Sequence, residues 1–193
     1  MPLSTPVERE LAHTRTIVCH GYERKDGLWD IEAHIVDTKP YAFPNKDRGG
    51  RIEANEALHD MKLRLTVDET LLIHAAEAVT DAAPFNYCTA IHPNYQNLVG
   101  MRIAPGWNQK LKEIFGGTQG CTHITELLAT MATAAFQTVG GSKMRQNNFT
   151  DPDPTAIPKH LHTCHALAFS SPVVLEHWPH AYQALPQQPK GDK

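Results

Sequence analysis

The chain has 193 residues, of which 41% are hydrophobic and 20% are charged, and its formal net charge is −3. This length suits one domain with a single buried core, and the near balance of charge excludes a general attraction to nucleic acid. No apolar run approaches the roughly 20 residues that cross a bilayer, and the first residues lack the basic and apolar regions of a signal peptide. We therefore expect a cytoplasmic protein whose partner is a small-molecule substrate, not a nucleic acid or a membrane; the oligomeric state stays open.

Apolar residues alternate with polar ones along the first half of the chain, and this period of two predicts β-strands. The predicted strands cover residues 16–22, 28–37, 61–67 and 71–80. A Lys-Asp-Gly turn at residues 25–27 joins the first two strands as a hairpin, while the Gly- and Pro-containing stretch 40–55 predicts a long connection. Together these segments predict an antiparallel β-meander.

The spacing of apolar residues becomes helical in the second half of the chain. A short helix is predicted around residues 91–99, and a second one over residues 105–115. A long helix follows, whose apolar face covers residues 124–139 and which we expect to end at Gly140-Gly141. Strands followed by helices indicate an α+β fold in which the helices pack on one face of the sheet.

The whole fold is predicted to be one α+β domain over residues 13–180. We expect residues 1–12 to form a flexible arm and residues 181–193 a disordered tail, because both segments are polar and rich in proline or charge. Within the polar region after the long helix, the apolar residues 173–175 predict a short strand.

The glycine-rich segment 116–120 places Cys121 at the start of the predicted long helix. Unpaired backbone N–H groups and the helix dipole favour a thiolate there, which suits a nucleophile or a metal ligand. His123 and Glu126 are neighbours at i and i+3, so the carboxylate could orient the imidazole as a general base. Cys121 and His123 can act together only if Cys121 precedes the helix as its cap, since helical positions two apart point away from each other.

Cys121, His123 and Glu126 are therefore the candidate catalytic residues. The alternative is an ordinary exposed His-Glu pair in a first helical turn, where the dipole favours the glutamate. Three further residues could line a pocket for a small planar or carboxylated substrate, namely Tyr22, Arg24 and Tyr41. The segment 160–165 holds three histidines and a cysteine, and an extended conformation would place alternate side chains on one face for chelation.

Several motifs occur in an order that resembles a bacterial family known only as domain of unknown function 2889. They are Arg24-x-Asp26-Gly27-x-Trp29-Asp30-Ile31-Glu32, Asp37-x-Lys39-Pro40-Tyr41, Thr80-Asp81-Ala82-Ala83-Pro84, Gly116-Gly117-x-x-Gly120-Cys121-Thr122-His123 and Cys164-His165-Ala166. The resemblance covers most of the chain and implies no activity.

The order of elements is also similar to that of the iron–sulfur cluster assembly scaffold fold (NifU/SufE-like). This similarity implies that His59, Asp60, Cys88 and Cys121 converge at one end of the sheet, with His59 in place of the first cysteine of the scaffold. Two thiolates, an imidazole and a carboxylate suit zinc or iron. The alternative is that Cys88 packs under a loop and His59 is solvated at the start of a strand, in which case the chain has no cofactor.

Two functions follow from these residues. The first is an enzyme, a lyase or isomerase, that acts on a small organic molecule by acid-base or metal-assisted proton abstraction with bond cleavage or isomerisation. In this function His123 is the base and Cys121 is a ligand or nucleophile. The second is a non-catalytic protein that binds or carries a metal or an iron–sulfur cluster.

Overall fold

A computed structural model of the chain describes residues 3–148, 153 and 155–183. The chain divides into two compact units, Met1–Gln146 and Asn147–Lys193, and each unit has its own buried apolar cluster. Most of the predicted tail, residues 184–193, lies outside the described residues.

The first unit is built on a four-stranded antiparallel sheet with the order β1-β2-β5-β6. These strands are β1 Thr14–Glu23, β2 Trp29–Thr38, β5 Ala57–Val67 and β6 Ile73–Ala82. The predicted meander is thus confirmed. The connection between β2 and β5 adds a small hairpin of β3 Phe43–Asn45 and β4 Gly50–Ile52, which alternation did not predict because strands of three residues are too short to show a period.

Buried and half-buried residues alternate strictly along β2, and this pattern identifies the buried face of the sheet. Its odd-numbered residues from Trp29 to Asp37 are buried and its even-numbered ones are half-buried. The inner face carries the core, whereas the outer face carries charged cross-strand groups. For example, Arg64 donates to Glu32 at 2.7 Å and to Glu77 at 3.1 Å.

Helices cover the inner face and complete the predicted α+β fold. A 3-10 helix at Asn86–Leu98 is followed by α1 Trp107–Phe115 and the long α2 Thr122–Gln146, with a short 3-10 turn at Gly117–Gln119 between them. Helix α2 packs against β1, β2 and β5. Its buried face consists of Ile124, Leu127, Leu128, Met131, Ala135 and Val139.

The end predicted for the long helix at Gly140-Gly141 is wrong, because α2 continues to Gln146. An interior glycine costs a helix only about 1 kcal/mol relative to alanine, and contacts to β1 and to the turn between β5 and β6 hold the last turn in place. Lys143 donates to Glu69 at 2.6 Å, and Gln146 donates to Glu23 at 2.8 Å.

The second unit contains α3 Pro172–His177 and a 3-10 turn at Pro179–Ala181. The strand predicted at residues 173–175 is therefore wrong. The Ser171 hydroxyl caps the helix by accepting from the Val174 N–H at 3.2 Å, and Pro172 occupies the first turn, where its missing N–H is not needed. Within the described residues, no helix combines the length and apolarity that crossing a bilayer requires.

Candidate functional site

Three polar residues form one cross-strand row at an end of the inner face. Arg15 of β1 lies directly opposite Asp37 of β2, and Asp37 lies directly opposite His59 of β5. All three occupy the alternate positions that face the helices. The first turn of α2 brings His123 to the same carboxylate.

The carboxylate of Asp37 is the centre of this group, with only 1% of the side chain exposed. The Arg15 guanidinium binds it in a bidentate manner, with Nε to Oδ1 and Nη2 to Oδ2 both at 2.8 Å. His13 Nε2 lies 3.2 Å from Oδ1. Burial alone would raise the pKa of Asp37, but the hydrogen bonds and charges of Arg15 and His59 outweigh it and lower the pKa to about 2, so the group is ionised.

The ionised carboxylate sets the tautomer of His59. Nδ1 of His59 lies 2.9 Å from Asp37 Oδ2, and an ionised carboxylate only accepts hydrogen bonds. We therefore assign the proton to Nδ1, which leaves the Nε2 lone pair of His59 free. Burial lowers the pKa of His59 below its ordinary value of 6.5, although the hydrogen bond to Asp37 opposes the shift.

His123 stacks on His59, with ring centroids 3.7 Å apart and planes inclined by 31°. Its Nε2 lies 3.6 Å from Asp37 Oδ2, which is a close electrostatic contact but long for a hydrogen bond. Burial, followed by the neighbouring His59, lowers the pKa of His123. Two imidazoles with lowered pKa values thus share one buried carboxylate.

Cys121 lies immediately before α2, and its carbonyl accepts the first helical N–H, that of Thr125, at 2.9 Å. The buried Tyr95 holds the backbone of this residue in place, because the Cys121 N–H donates to the Tyr95 hydroxyl at 2.9 Å. The Cys121 Sγ lies 3.9 Å from His123 Nδ1 and 3.8 Å from Met61 Sδ. The structure therefore brings the predicted pair Cys121 and His123 together with Cys121 outside the helix.

The predicted orienting residue, Glu126, has a different partner. Its carboxylate accepts from Arg15 Nη1, so Arg15 bridges Glu126 and Asp37 and ties α2 to β1 and β2. The carboxylate beside His123 is that of Asp37.

Of the residues predicted as metal ligands, only His59 belongs to the group that could hold a metal ion. Ligand atoms of Asp37, His59 and His123 all lie within 4.8 Å of one another. Asp60 points to the outer face and binds His34 Nε2 at 2.7 Å, because neighbouring strand residues face opposite sides.

The two predicted thiol ligands lie outside this three-residue group. Cys88 is half-buried in the 3-10 helix, where its N–H donates to the Phe85 carbonyl. The Cys121 thiol touches the group only through His123.

The residues proposed to bind substrate are spread over two ends of the sheet. Arg24 pairs with Asp26 and Asp30 at the β1–β2 turn, far from the Asp37 end of the ladder. Tyr22, close to that turn, is 48% exposed on the outer face. Tyr41 follows the opposite end of β2 and accepts from Lys39 Nζ at 3.2 Å.

The histidine-rich segment 160–165 folds as turns in the second unit. His162 stacks on Phe169, with ring centroids 4.8 Å apart, and His160 packs edge-on against Trp178. The extended conformation that would have aligned these side chains for chelation is not formed.

The sequence interpretation missed Asp37 and Arg15. A signal for Asp37 was present, because it continues the alternate buried positions Trp29, Ile31, Ala33 and Ile35 of β2 and so had to face the core. No such signal existed for Arg15, whose role depends on the β1–β2 register.

An open depression of about 400 Å³ lies on the outer face, lined both by apolar residues such as Val79 and by charged residues such as Glu32 and Arg64. Ligand sites are usually enclosed, whereas this depression is open and the charge of its Arg64 is already paired with Glu32 across the strands. The Asp37 group on the inner face, with two imidazoles beside one buried carboxylate, is the better candidate for chemistry.

Comparison with curated proteins and with solved structures finds no match, so the similarity to the iron–sulfur scaffold gains no support. A protein-family model does match the chain, over residues 13–137. This region contains Arg15, Asp37, His59, Cys121 and His123. Because this region is more than half of the chain, the protein belongs to the family described as a protein of unknown function, DUF2889.

Proposed function

We propose that the chain is an enzyme that removes a proton from a small organic molecule, as a lyase or an isomerase does. The observation that supports this proposal is the pair of imidazoles that lie against one buried carboxylate. A general base must be unprotonated at the working pH and must be held in a fixed orientation. Burial favours the unprotonated form of His59 and His123, and Asp37 orients them through a hydrogen bond to His59 and an electrostatic contact to His123.

Each imidazole has a nitrogen available for proton transfer. His59 keeps its Nε2 lone pair because Nδ1 faces Asp37. His123 keeps its Nδ1 lone pair if its proton is on Nε2, the nitrogen that faces Asp37. Asp37 would stabilise the imidazolium formed after proton abstraction, and Arg15 holds that carboxylate in place.

The proposal is tested by deuterium exchange, which needs no knowledge of the complete reaction. Small ketones, 2-oxo acids and thioesters are incubated with the protein in D₂O, and exchange at carbon next to the carbonyl is followed by NMR. We expect one class to exchange with the wild type about 100-fold faster than with His123→Gln, the low end for general-base catalysis. His34→Gln is the matched control, because His34 also binds an aspartate but on the outer face.

Equal loss of exchange in His34→Gln and His123→Gln would contradict the proposal, since it would indicate a general effect on folding. Exchange no faster than in buffer for every class tested would also contradict it.

A bound metal ion is a second candidate function, favoured by the 4.8 Å cluster of Asp37, His59 and His123. One carboxylate and two imidazoles suit zinc or iron(II). The ion would serve either a metal-assisted enzyme or a metal carrier. The Arg15 guanidinium opposes it, because it already binds both oxygens of Asp37.

Elemental analysis of variants distinguishes this set of three ligands from the set predicted by resemblance to the iron–sulfur scaffold, which included Asp60 and Cys88. If Asp37, His59 and His123 hold the ion, about one equivalent of zinc or iron is lost in His59→Gln and kept in Asp60→Asn and Cys88→Ser. Retention in His59→Gln would exclude this metal site.

A further inference from the structure

A chain of three side chains leads from the half-buried Cys121 through His123 to the buried carboxylate of Asp37. The Cys121 Sγ lies 3.9 Å from His123 Nδ1, and His123 Nε2 lies 3.6 Å from Asp37 Oδ2. Thiol, imidazole and carboxylate in this order are the parts of an activated cysteine nucleophile. The separations are longer than hydrogen bonds, as is common in catalytic groups before substrate binds.

The order of the groups fixes the direction of proton movement. Asp37 accepts hydrogen bonds and has no proton to give, so the N–H of His123 belongs on Nε2, which faces Asp37. The Nδ1 lone pair then faces the Cys121 thiol and can take its proton.

The start of α2 supplies donors beside this thiol. Thr125 makes the first intrahelical hydrogen bond, to the Cys121 carbonyl, so the N–H groups of Thr122, His123 and Ile124 have no partner within the helix. Backbone N–H groups at a helix start stabilise a developing negative charge on oxygen. The buried Tyr95 holds the backbone of Cys121 at this position by bonding both its N–H and its carbonyl.

We propose that Cys121 is a covalent nucleophile toward activated acyl compounds, above all thioesters. His123 Nδ1 takes the thiol proton, and the sulfur adds to the carbonyl carbon to give a tetrahedral oxyanion. Collapse of this intermediate breaks the bond to the leaving group, which receives the proton from His123, and leaves an acyl thioester on Cys121. Water then attacks the acyl carbon, releasing the carboxylic acid and restoring the thiol.

This inference rests on the proposed function for the role of His123 as the base, and it adds a second activity, the hydrolysis of thioesters. The probe is 4-nitrophenyl acetate, and acetylation of each cysteine is followed by peptide mass spectrometry on the full chain. Cys164 is the internal reference, because it is exposed whereas Cys121 is half-buried. We expect Cys121 to be acetylated at least about tenfold faster than Cys164, because an adjacent base typically contributes more than that.

Variants of His123 separate activation from mere accessibility. We expect His123→Gln to lower the acetylation rate at Cys121 to that of Cys164 without changing Cys164. In His123→Ala, added imidazole should restore part of the lost rate, an effect that a structural role of His123 would not produce.

Slower acetylation of Cys121 than of Cys164, or an unchanged rate in His123→Gln, would overturn the inference. The deuterium exchange experiment distinguishes this failure from that of the proposed function. Exchange that persists in wild type and in Cys121→Ser, without acetylation of Cys121, leaves the acid-base proposal standing and removes the nucleophile.

Discussion

Three imidazole or guanidinium groups lie within 3.2 Å of the carboxylate oxygens of Asp37, and only that of Arg15 is permanently charged. Removing one partner of a buried pair leaves an uncompensated charge, which costs about 3–5 kcal/mol in fully buried cases. Arg15 is 32% exposed, so we expect Arg15→Met to lower the free energy of unfolding by about 2 kcal/mol after discounting for solvent screening. Urea denaturation measures this change.

The double variant Arg15→Met/Asp37→Asn tests the cause of that loss. It should be more stable than Arg15→Met alone, because no buried charge is then unpaired. Arg24→Gln is the matched control, since Arg24 also binds two aspartates but at an exposed turn, and we expect little change in stability. A double variant no more stable than the single one would contradict this account.

Asp68 carries a predictable pH effect outside the candidate site. Its carboxylate accepts from the Thr70 N–H at 2.7 Å and from the Leu72 N–H at 3.1 Å in the turn between β5 and β6. Burial alone would raise its pKa, but these bonds and those of the Thr70 hydroxyl and His74 lower it below its ordinary value of 3.8.

A lowered carboxyl pKa stabilises the folded protein above the ordinary value, and this stability is lost as the pH falls below it. Asp68→Asn should therefore be less stable than wild type at pH 7, and the difference should shrink at pH 3. Urea midpoints of both proteins at the two pH values measure it. The same difference at both pH values would show that the charge of Asp68 is not responsible.

The sequence identified His59, Cys121 and His123 but not what joins them. Each of these residues could be recognised from the sequence around it, because His59 lies at the start of a predicted strand and the other two lie at the start of a predicted helix. Asp37 contacts both His59 and His123, which follow it in the chain by 22 and 86 residues. Contacts between residues so far apart in sequence depend on the register of the strands and on how α2 packs on the sheet. Local patterns contain neither.

Helix α2 packs closely against β1 where Gly21 faces Thr138. A Cβ atom at Gly21 would lie 1.9 Å from the Thr138 hydroxyl oxygen. Gly21→Ala should therefore lower the free energy of unfolding by about 1–3 kcal/mol, the usual cost of overpacking. Denaturation followed by circular dichroism measures it, and Gly21→Ala/Thr138→Ala should recover part of the loss. No recovery would place the strain elsewhere.

A glycine inside α2 should respond differently, because its replacement by alanine is expected to stabilise the protein. Gly140 is exposed, and an added Cβ would meet nothing within 4 Å. Gly140→Ala should raise the free energy of unfolding by about 0.5–1 kcal/mol, because alanine loses less backbone entropy in a helix. A thermal melt with a lower midpoint would mean that α2 does not continue through this position in solution.

Elements with long periodic patterns were predicted well, whereas the shortest ones, β3, β4 and α3, were not. The four sheet strands and α2 have enough alternate or helical positions to define a period. The β3–β4 hairpin has three residues in each strand, and α3 depends on its cap. Ser171 and Pro172 were the available signals for α3, and they outweigh the strand propensity of Val173 and Val174.

At the scale of the whole molecule, core and chemistry both lie in the first unit. Its main buried cluster runs from Trp29 to Val139, while the second unit buries its own cluster of Leu161, Val174 and Ala181. We expect a fragment of residues 1–146 to unfold cooperatively and to keep the Cys121 acetylation rate. Circular dichroism and the acetylation assay measure both, with the full chain as control. A fragment without a cooperative transition would show that the first unit depends on the second.

The unbroken alternation of buried and half-buried residues in β2 limits the insertions that this strand can accept. The same alternate positions supply four core residues and the carboxylate of Asp37. A single-residue insertion within β2 before Asp37 would reverse the faces of everything on one side of it. It would either turn Asp37 outward and abolish the site or turn the apolar residues toward solvent and damage the core, so such an insertion is harmful in both cases. Insertions of two residues keep both faces, and they are the length changes that this strand can accept.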